Sequence, residues 1–207
     1  MNNMNLRIAD YRRIPDWDHF VQGHPCGTIM HTTAMIRCKE ATQNNYPFAQ
    51  GVVDSSGRLC AILVASRVVT MPGVSAQIAS RSVMYAEPLC SNNDAGQAGL
   101  QTLIRAHDLY MSTRTLFAEI RPVYDCTEQE NLLLSAGYAK HGYLNYELQL
   151  CSCQEELFRR IGSKRRNNVR SAHRKGVSVQ EVWTETGIAD FYSLVRASYS
   201  RSQLPLV

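Results

Sequence analysis

Between Gly162 and Gly176 the chain reads Gly-Ser-Lys-Arg-Arg-Asn-Asn-Val-Arg-Ser-Ala-His-Arg-Lys-Gly, a run whose ammonium and guanidinium groups could hold an anion. From Cys151 to Gly176 eight Lys or Arg (159, 160, 164, 165, 166, 170, 174, 175) face only Glu155 and Glu156, a local balance of +6 in a chain whose total is +4. Charge gathered into one element points to a phosphate-bearing partner, and equally to a solvated helix face. Phased as one helix at about 100° per residue from Ile161, Leu157, Phe158, Val169 and Ala172 form an apolar stripe. Arg166, Arg170 and Arg174 then line the opposite face at i,i+4 spacing and are the candidate contacts to a nucleic-acid backbone. Arg165 and Asn168 fall inside the stripe. They are expected to point inward and to be hydrogen-bonded there.

Other chemistries find little in the sequence. The seven cysteines (26, 38, 60, 90, 126, 151, 153) are odd in number and form no Cys-x-x-Cys pair, and the six histidines are dispersed. No metal site is expected, and the thiols read as reduced and incidental. There is no Gly-x-Ser-x-Gly or Cys/His signature of a nucleophile. The longest apolar run, Leu59 to Ala65, is far short of a membrane span, and the N-terminus lacks a basic-then-apolar leader. The expected location is cytoplasmic.

The elements that would position these groups are mixed. Short helices are expected at Asp16 to Val21 and Thr32 to Thr42. Phe48 to Asp54 and Leu59 to Val69 flank Ser55-Ser56-Gly57-Arg58 as a β-hairpin. Leu100, Leu103, Ile104 and His107 give Asn92 to Met111 the period of a long helix. Leu116 to Ile120 reads as a strand. Thr127 to Glu130 has the form of a capping box opening a helix that Gly137 closes. Tyr143 to Leu150 reads as a strand, Ser152 to Glu155 as a second capping box that starts one basic helix running to Gly176, Val177 to Val179 as a strand, and Ile188 to Ser200 as a helix. The expected class is α/β with a mixed sheet: one domain over 1–150, and over 151–207 the start of a second, truncated one that cannot bury much core by itself.

With these residues in view the chain resembles the Fem-type peptidoglycan-bridge aminoacyltransferases, whose fold is built from two GNAT-like domains. The resemblance rests on Leu144-Asn145-Tyr146-Glu147-Leu148-Gln149-Leu150, Glu155-Glu156-Leu157-Phe158, Lys164 to Arg170, Ala172, Lys175-Gly176-Val177, and Phe191-Tyr192 through Tyr199-Ser200-Arg201 and Pro205. Upstream, Trp17-Asp18-x-Phe20-Val21, Thr28-Ile29-Met30-His31-Thr32 and Tyr85-Ala86-Glu87-Pro88-Leu89 fall in the family's order. Met35 stands where the family usually has tryptophan, and Ala86-Glu87-Pro88 where Gly-Gly-Pro or Arg-Gly-Pro is common.

The resemblance implies transfer of an amino acid from aminoacyl-tRNA to the peptide amine of a muramyl-peptide precursor. There would be no cofactor, no metal and no DNA partner, and at most peripheral membrane contact through a lipid-linked substrate. It places Lys39, Arg201 and, more weakly, Tyr85 against the substrate's phosphates, where charge-assisted bonds are strong. It also implies that this piece alone is inactive, because a cleft between two domains needs both. A second reading is an acyl-CoA-dependent N-acetyltransferase of the GNAT superfamily, with Asn93-Asp94-Ala95-Gly96-Gln97-Ala98 near its phosphate loop. A third, a non-enzymatic nucleic-acid binder, is disfavoured by the absence of aromatics in the basic run.

Overall fold

The apolar run from Leu59 becomes the longest strand of the sheet, and the rest of the first unit is built on it. The computed structural model describes residues 5–70, 73, 79–124, 127–142, 149–151 and 153–203. The chain divides into two compact units, Met1 to Lys140 and His141 to Leu206.

In the first unit β1 (Arg7–Asp10) leads through a 3₁₀ turn to α1 (Trp17–Gly23), and a second 3₁₀ turn (Ile29–His31) to α2 (Thr33–Ala41). Then come β2 (Asn45–Val53), β3 (Leu59–Val69), β4 (Ser80–Met84), β5 (Leu89–Cys90), α3 (Asp94–Met111), β6 (Phe117–Ile120) and α4 (Thr127–Ser135). The sheet order is β1-β2-β3-β4-β6, with β5 also on β3. The β2–β3 hairpin has the expected position, and the helix from Asn92 proves to be α3 with Asn93 as its N-cap.

Alternation along β3 divides the core. Ile62 and Val64 pack with Trp17, Val21 and Ile36 on the α1–α2 face. Ala61, Leu63 and Ala65 pack with Leu100, Leu103 and Ile104 of α3 on the other. The result is a mixed α/β layer arrangement, helices on both faces of one mixed sheet.

Two departures from regularity place the site. Among the described residues all pairings are antiparallel except β4 with β6, which is parallel from Arg81↔Phe117 to Met84↔Ile120. Along β3, Ser66 pairs with Val83 of β4 while Ile62 pairs with Leu89 of β5. Three residues on β3 thus stand opposite five on the partner, so Tyr85 to Pro88 form a bulge with two residues in excess. Bulges bend a strand and re-aim its side chains.

The second unit holds α5 (Gln154–Arg160), α6 (Ser163–Arg174) and α7 (Glu185–Arg201). The single basic helix expected from the sequence is two. Ile161 is the extended C-cap of α5 and Gly162, with ψ near 146°, is the N-cap of α6. The break invalidates phasing carried through Ile161. Arg165 and Asn168 are exposed rather than inward, and Arg166 is the half-buried member. It donates to the carbonyls of Arg159 (2.8 Å) and Ile161, closing the end of α5. The N-cap of α5 is Cys153, without a side-chain cap bond. Gly176 ends α6 as expected, its φ of 77° being open to glycine at little cost.

No strand forms at Val177 to Val179, where Val179 is 95% exposed. Alternating side chains alone do not make a strand without a partner for its backbone groups. The expected strand at Tyr143 lies, up to Leu148, outside the described residues, as do Ser152 and the side chains of Thr127 and Glu128.

Candidate anion site at the mouth of the parallel strand pair

Of the charged or imidazole side chains buried among the described residues, three of the four (His31, Lys39 and Glu87; the other is His107) gather at one end of the sheet. Buried ionisable groups are costly unless partnered, so such a concentration marks a candidate functional site.

The framework begins with Trp17. Its indole N–H donates to the His31 carbonyl at 2.8 Å, and His31 Nε2 donates to the Glu87 carbonyl at 2.8 Å. His31 Nδ1 accepts from the Thr28 N–H at 3.1 Å. The ring is therefore held as the neutral tautomer, and burial lowers its pKa despite the bond to Glu87. Thr32 caps α2 through the Met35 N–H, which sets the helix that carries Lys39.

Lys39 is only 8% exposed, and burial lowers its pKa. Among the described residues no carboxylate lies within ion-pairing distance of it. Its Nζ instead sits 4.7 Å from the centre of the Tyr85 ring. Tyr85 opens the bulge just after β4. Arg121, just after β6, brings its guanidinium to 5.8 Å from the same ring and is oriented by Glu119 at 2.8 Å.

The last ladder bond of the parallel pair runs from Arg121 N–H to the Met84 carbonyl. Beyond it the two segments are bridged by Glu87, whose Oε2 accepts the Val123 N–H at 2.9 Å. Its other oxygen, Oε1, is buried without a hydrogen-bond partner among the described residues. Two cations about one ring can hold an anionic ligand at the carboxyl ends of parallel strands, and the carboxylate oxygen between the same two segments can take a hydrogen-bond donor.

Lys39 and Tyr85, two of the three residues placed against a phosphate, are thus brought together. Arg201 is the exposed last residue of α7, in the other unit. Of the three arginines placed on nucleic acid, Arg166 is committed to backbone carbonyls, Arg170 lies 5.6 Å from the Phe158 ring, and Arg174 is exposed. Sequence reasoning gave no role to Arg121, Glu87 or His31. The one signal available was the Glu in Ala86-Glu87-Pro88, at a position where the resembled family favours glycine.

Two other places look chemical and are not the site. Ser82 Oγ lies 2.8 Å from His107 Nε2, and His107 Nδ1 lies 2.9 Å from Asp108 Oδ1, which also accepts from the Tyr138 hydroxyl. This has the order of a nucleophile, base and acid, but Ser82 and His107 are fully buried and the Phe48 ring packs edge-on to the imidazole. Both imidazole nitrogens are already engaged, and the array pins β4 to α3. Burial and the Asp108 carboxylate raise the Tyr138 pKa. A groove of about 400 Å³ between α3 and α4 is lined by Gln101, Arg105, Leu109 and Leu132 and contains none of the anion-site residues.

At the start of α3, Asn93 Oδ1 takes the Gly96 N–H at 2.8 Å and Asp94 adds a carboxylate to the first turn. A Cβ on Gly96 would lie 2.0 Å from the Ser91 carbonyl oxygen, so the glycine serves close backbone packing.

No family model matches this chain, and no curated protein matches it. Among solved structures the chain is similar to the aminoglycoside 6'-N-acetyltransferase of Acinetobacter baumannii, at 12% identity and a TM-score of 0.48, over 72% of this chain and 99% of that one. It is similar to the corresponding enzyme of Acinetobacter haemolyticus, at 14% identity and a TM-score of 0.49, over 72% and 100%. A predicted acetyltransferase of Clostridium acetobutylicum, solved with acetyl-CoA, matches at 11% identity and a TM-score of 0.47, over 70% and 96%.

Proposed function

We propose that this chain is an N-acyltransferase that seats the anionic end of an amine acceptor on Lys39 and Arg121. The observation that carries the reading is the Lys39–Tyr85–Arg121 cluster, placed where the bulge opens the sheet beside the parallel β4–β6 pair. In such a transfer the acceptor nitrogen attacks an activated acyl carbon. The new C–N bond replaces a C–S or C–O bond, and the nitrogen gives up a proton. The protein's share is alignment of the two reactants, which needs no protein nucleophile.

Acyl-CoA is the donor this reading takes first. The first turn of α3 does not fit a diphosphate, because the Gly96 amide is already bonded and Asp94 repels an anion. CoA phosphates would be held by other groups. A second reading, transfer from aminoacyl-tRNA to the amine of a peptidoglycan precursor, is favoured by α6. Its exposed Lys164, Arg165 and Arg174, and Lys175 at its C-cap, have no acidic partner among the described residues.

The test offers the chain acetyl-CoA or charged tRNA together with primary amines that carry a phosphate or carboxylate. Amine-dependent thiol release from acetyl-CoA, lost in Lys39→Met and Arg121→Ala, is the expected result. Amide formation from charged tRNA with no thiol release selects the second donor. Transfer undiminished in both variants overturns the site.

A further inference from the structure

The geometry points to Glu87 as the group that reads the ligand's hydrogen-bond donor, so that this site takes an amphoteric molecule, an anion carrying a primary amine. The inference deepens the acyltransferase reading and rests on its anion site. Glu87 is 1% exposed, and its two oxygens have different duties. Oε2 accepts the Val123 N–H and ties the bulge to the segment after β6. Oε1 has no partner among the described residues, although it is buried between the same two segments that present Tyr85 and Arg121.

A purely structural brace needs one oxygen. Glutamine would provide it without burying a charge. A carboxylate with one oxygen left over is suited to a donor that arrives with the ligand; it holds the ammonium form best and takes one of its protons before the neutral amine attacks. Lys39, the uncompensated cation of the cluster, and Arg121 take the ligand's negative end. The two ends of the ligand then meet opposite charges on one wall formed by α2, the bulge and the end of β6. A neutral or singly functional anion would leave Oε1 unsatisfied, so the arrangement discriminates by the amine and not only by the phosphate or carboxylate.

The experiment compares phosphoethanolamine with propyl phosphate, which has the same anion and a methyl group in place of the ammonium. Binding to the intact chain is followed by calorimetry. Phosphoethanolamine is expected to bind about tenfold more tightly, the ratio a buried charge-assisted hydrogen bond commonly supplies. Glu87→Gln keeps an acceptor for Val123, and its fold is checked by thermal denaturation. It should reduce the ratio to about one, because the ammonium loses its carboxylate while both ligands keep Lys39 and Arg121 for the phosphate. Equal binding of the two ligands to the unmodified chain, or a ratio that survives in Glu87→Gln, overturns the Glu87 assignment and leaves the anion site standing. Binding of neither ligand removes the anion site and the Glu87 assignment together.

Discussion

Lys39 Nζ lies 4.7 Å from the centre of the Tyr85 ring, and among the described residues no carboxylate stands within ion-pairing distance of it. Burial lowers the amine's pKa from an ordinary 10.5, so the folded state holds its proton less tightly than the unfolded chain. Between the lowered value and 10.5 the unfolded chain binds more protons, and stability therefore rises with pH through that window. Lys39→Met removes the buried charge. It should raise the melting temperature at pH 7 by roughly 2–4 °C, equivalent to about 1 kcal/mol in a chain of this size, and should flatten the alkaline rise. Added phosphate should stabilise the parent chain and not the variant. A Lys39→Met protein that still gains stability from phosphate would place the anion elsewhere.

Tyr85 acts through its ring face, so Tyr85→Phe and Tyr85→Leu should separate. Phenylalanine keeps the π surface for Lys39 and Arg121 and should leave phosphate affinity within about twofold. Leucine loses a contact of about 1 kcal/mol and should weaken phosphate binding roughly fivefold. Calorimetry on the two variants at one pH distinguishes them. Equal losses would assign the effect to the hydroxyl.

The parts of this fold that could be read in advance are those that bury a regular face. The β2–β3 hairpin and α3 announce themselves because their apolar residues repeat at two and at 3.6. Strand β4 does not, since Ser-Arg-Ser-Val-Met looks polar until His107 is found against Ser82, both fully buried. Within the site, Lys39 and Tyr85 are suggested by resemblance rather than by local pattern. Arg121 is brought to Tyr85 only by the β4–β6 register, a long-range fact that no spacing encodes. The composition does hold one clue. Only four of the 22 basic residues are lysines, at 39, 140, 164 and 175, and Lys39 is the one that the fold buries. The error in the basic run has an equally local cause: phase does not survive an extended residue, and Ile161 is one.

The Ser82–His107–Asp108 array should behave as a brace. Ser82→Ala leaves a buried imidazole nitrogen without its partner and should cost about 1–3 kcal/mol. It should not alter acyl transfer per folded molecule. His107→Leu removes both bonds of the ring and should cost about as much or somewhat more, read as a lower urea midpoint with unchanged slope. Loss of transfer in a Ser82→Ala chain that remains folded would make the serine a nucleophile after all.

The arginines of the second unit should divide by what they already touch. Arg166 is spent on the Arg159 and Ile161 carbonyls, so Arg166→Ala should unfold the α5–α6 junction. The loss should appear as reduced helix signal, with little change in the salt dependence of RNA binding. Arg174 and Lys164 are exposed and free of acidic partners among the described residues. If tRNA is the donor, each of those replaced by alanine should reduce the slope of log affinity against log salt by about 0.7–0.9, the release expected per phosphate contact. Helicity should stay intact. Arg170, 5.6 Å from the Phe158 ring, stands between the two groups, and Arg170→Ala should show a small helical loss together with a partial change of slope. An Arg166→Ala chain with normal helicity and a reduced slope would reverse the division and return the outward-facing role to Arg166.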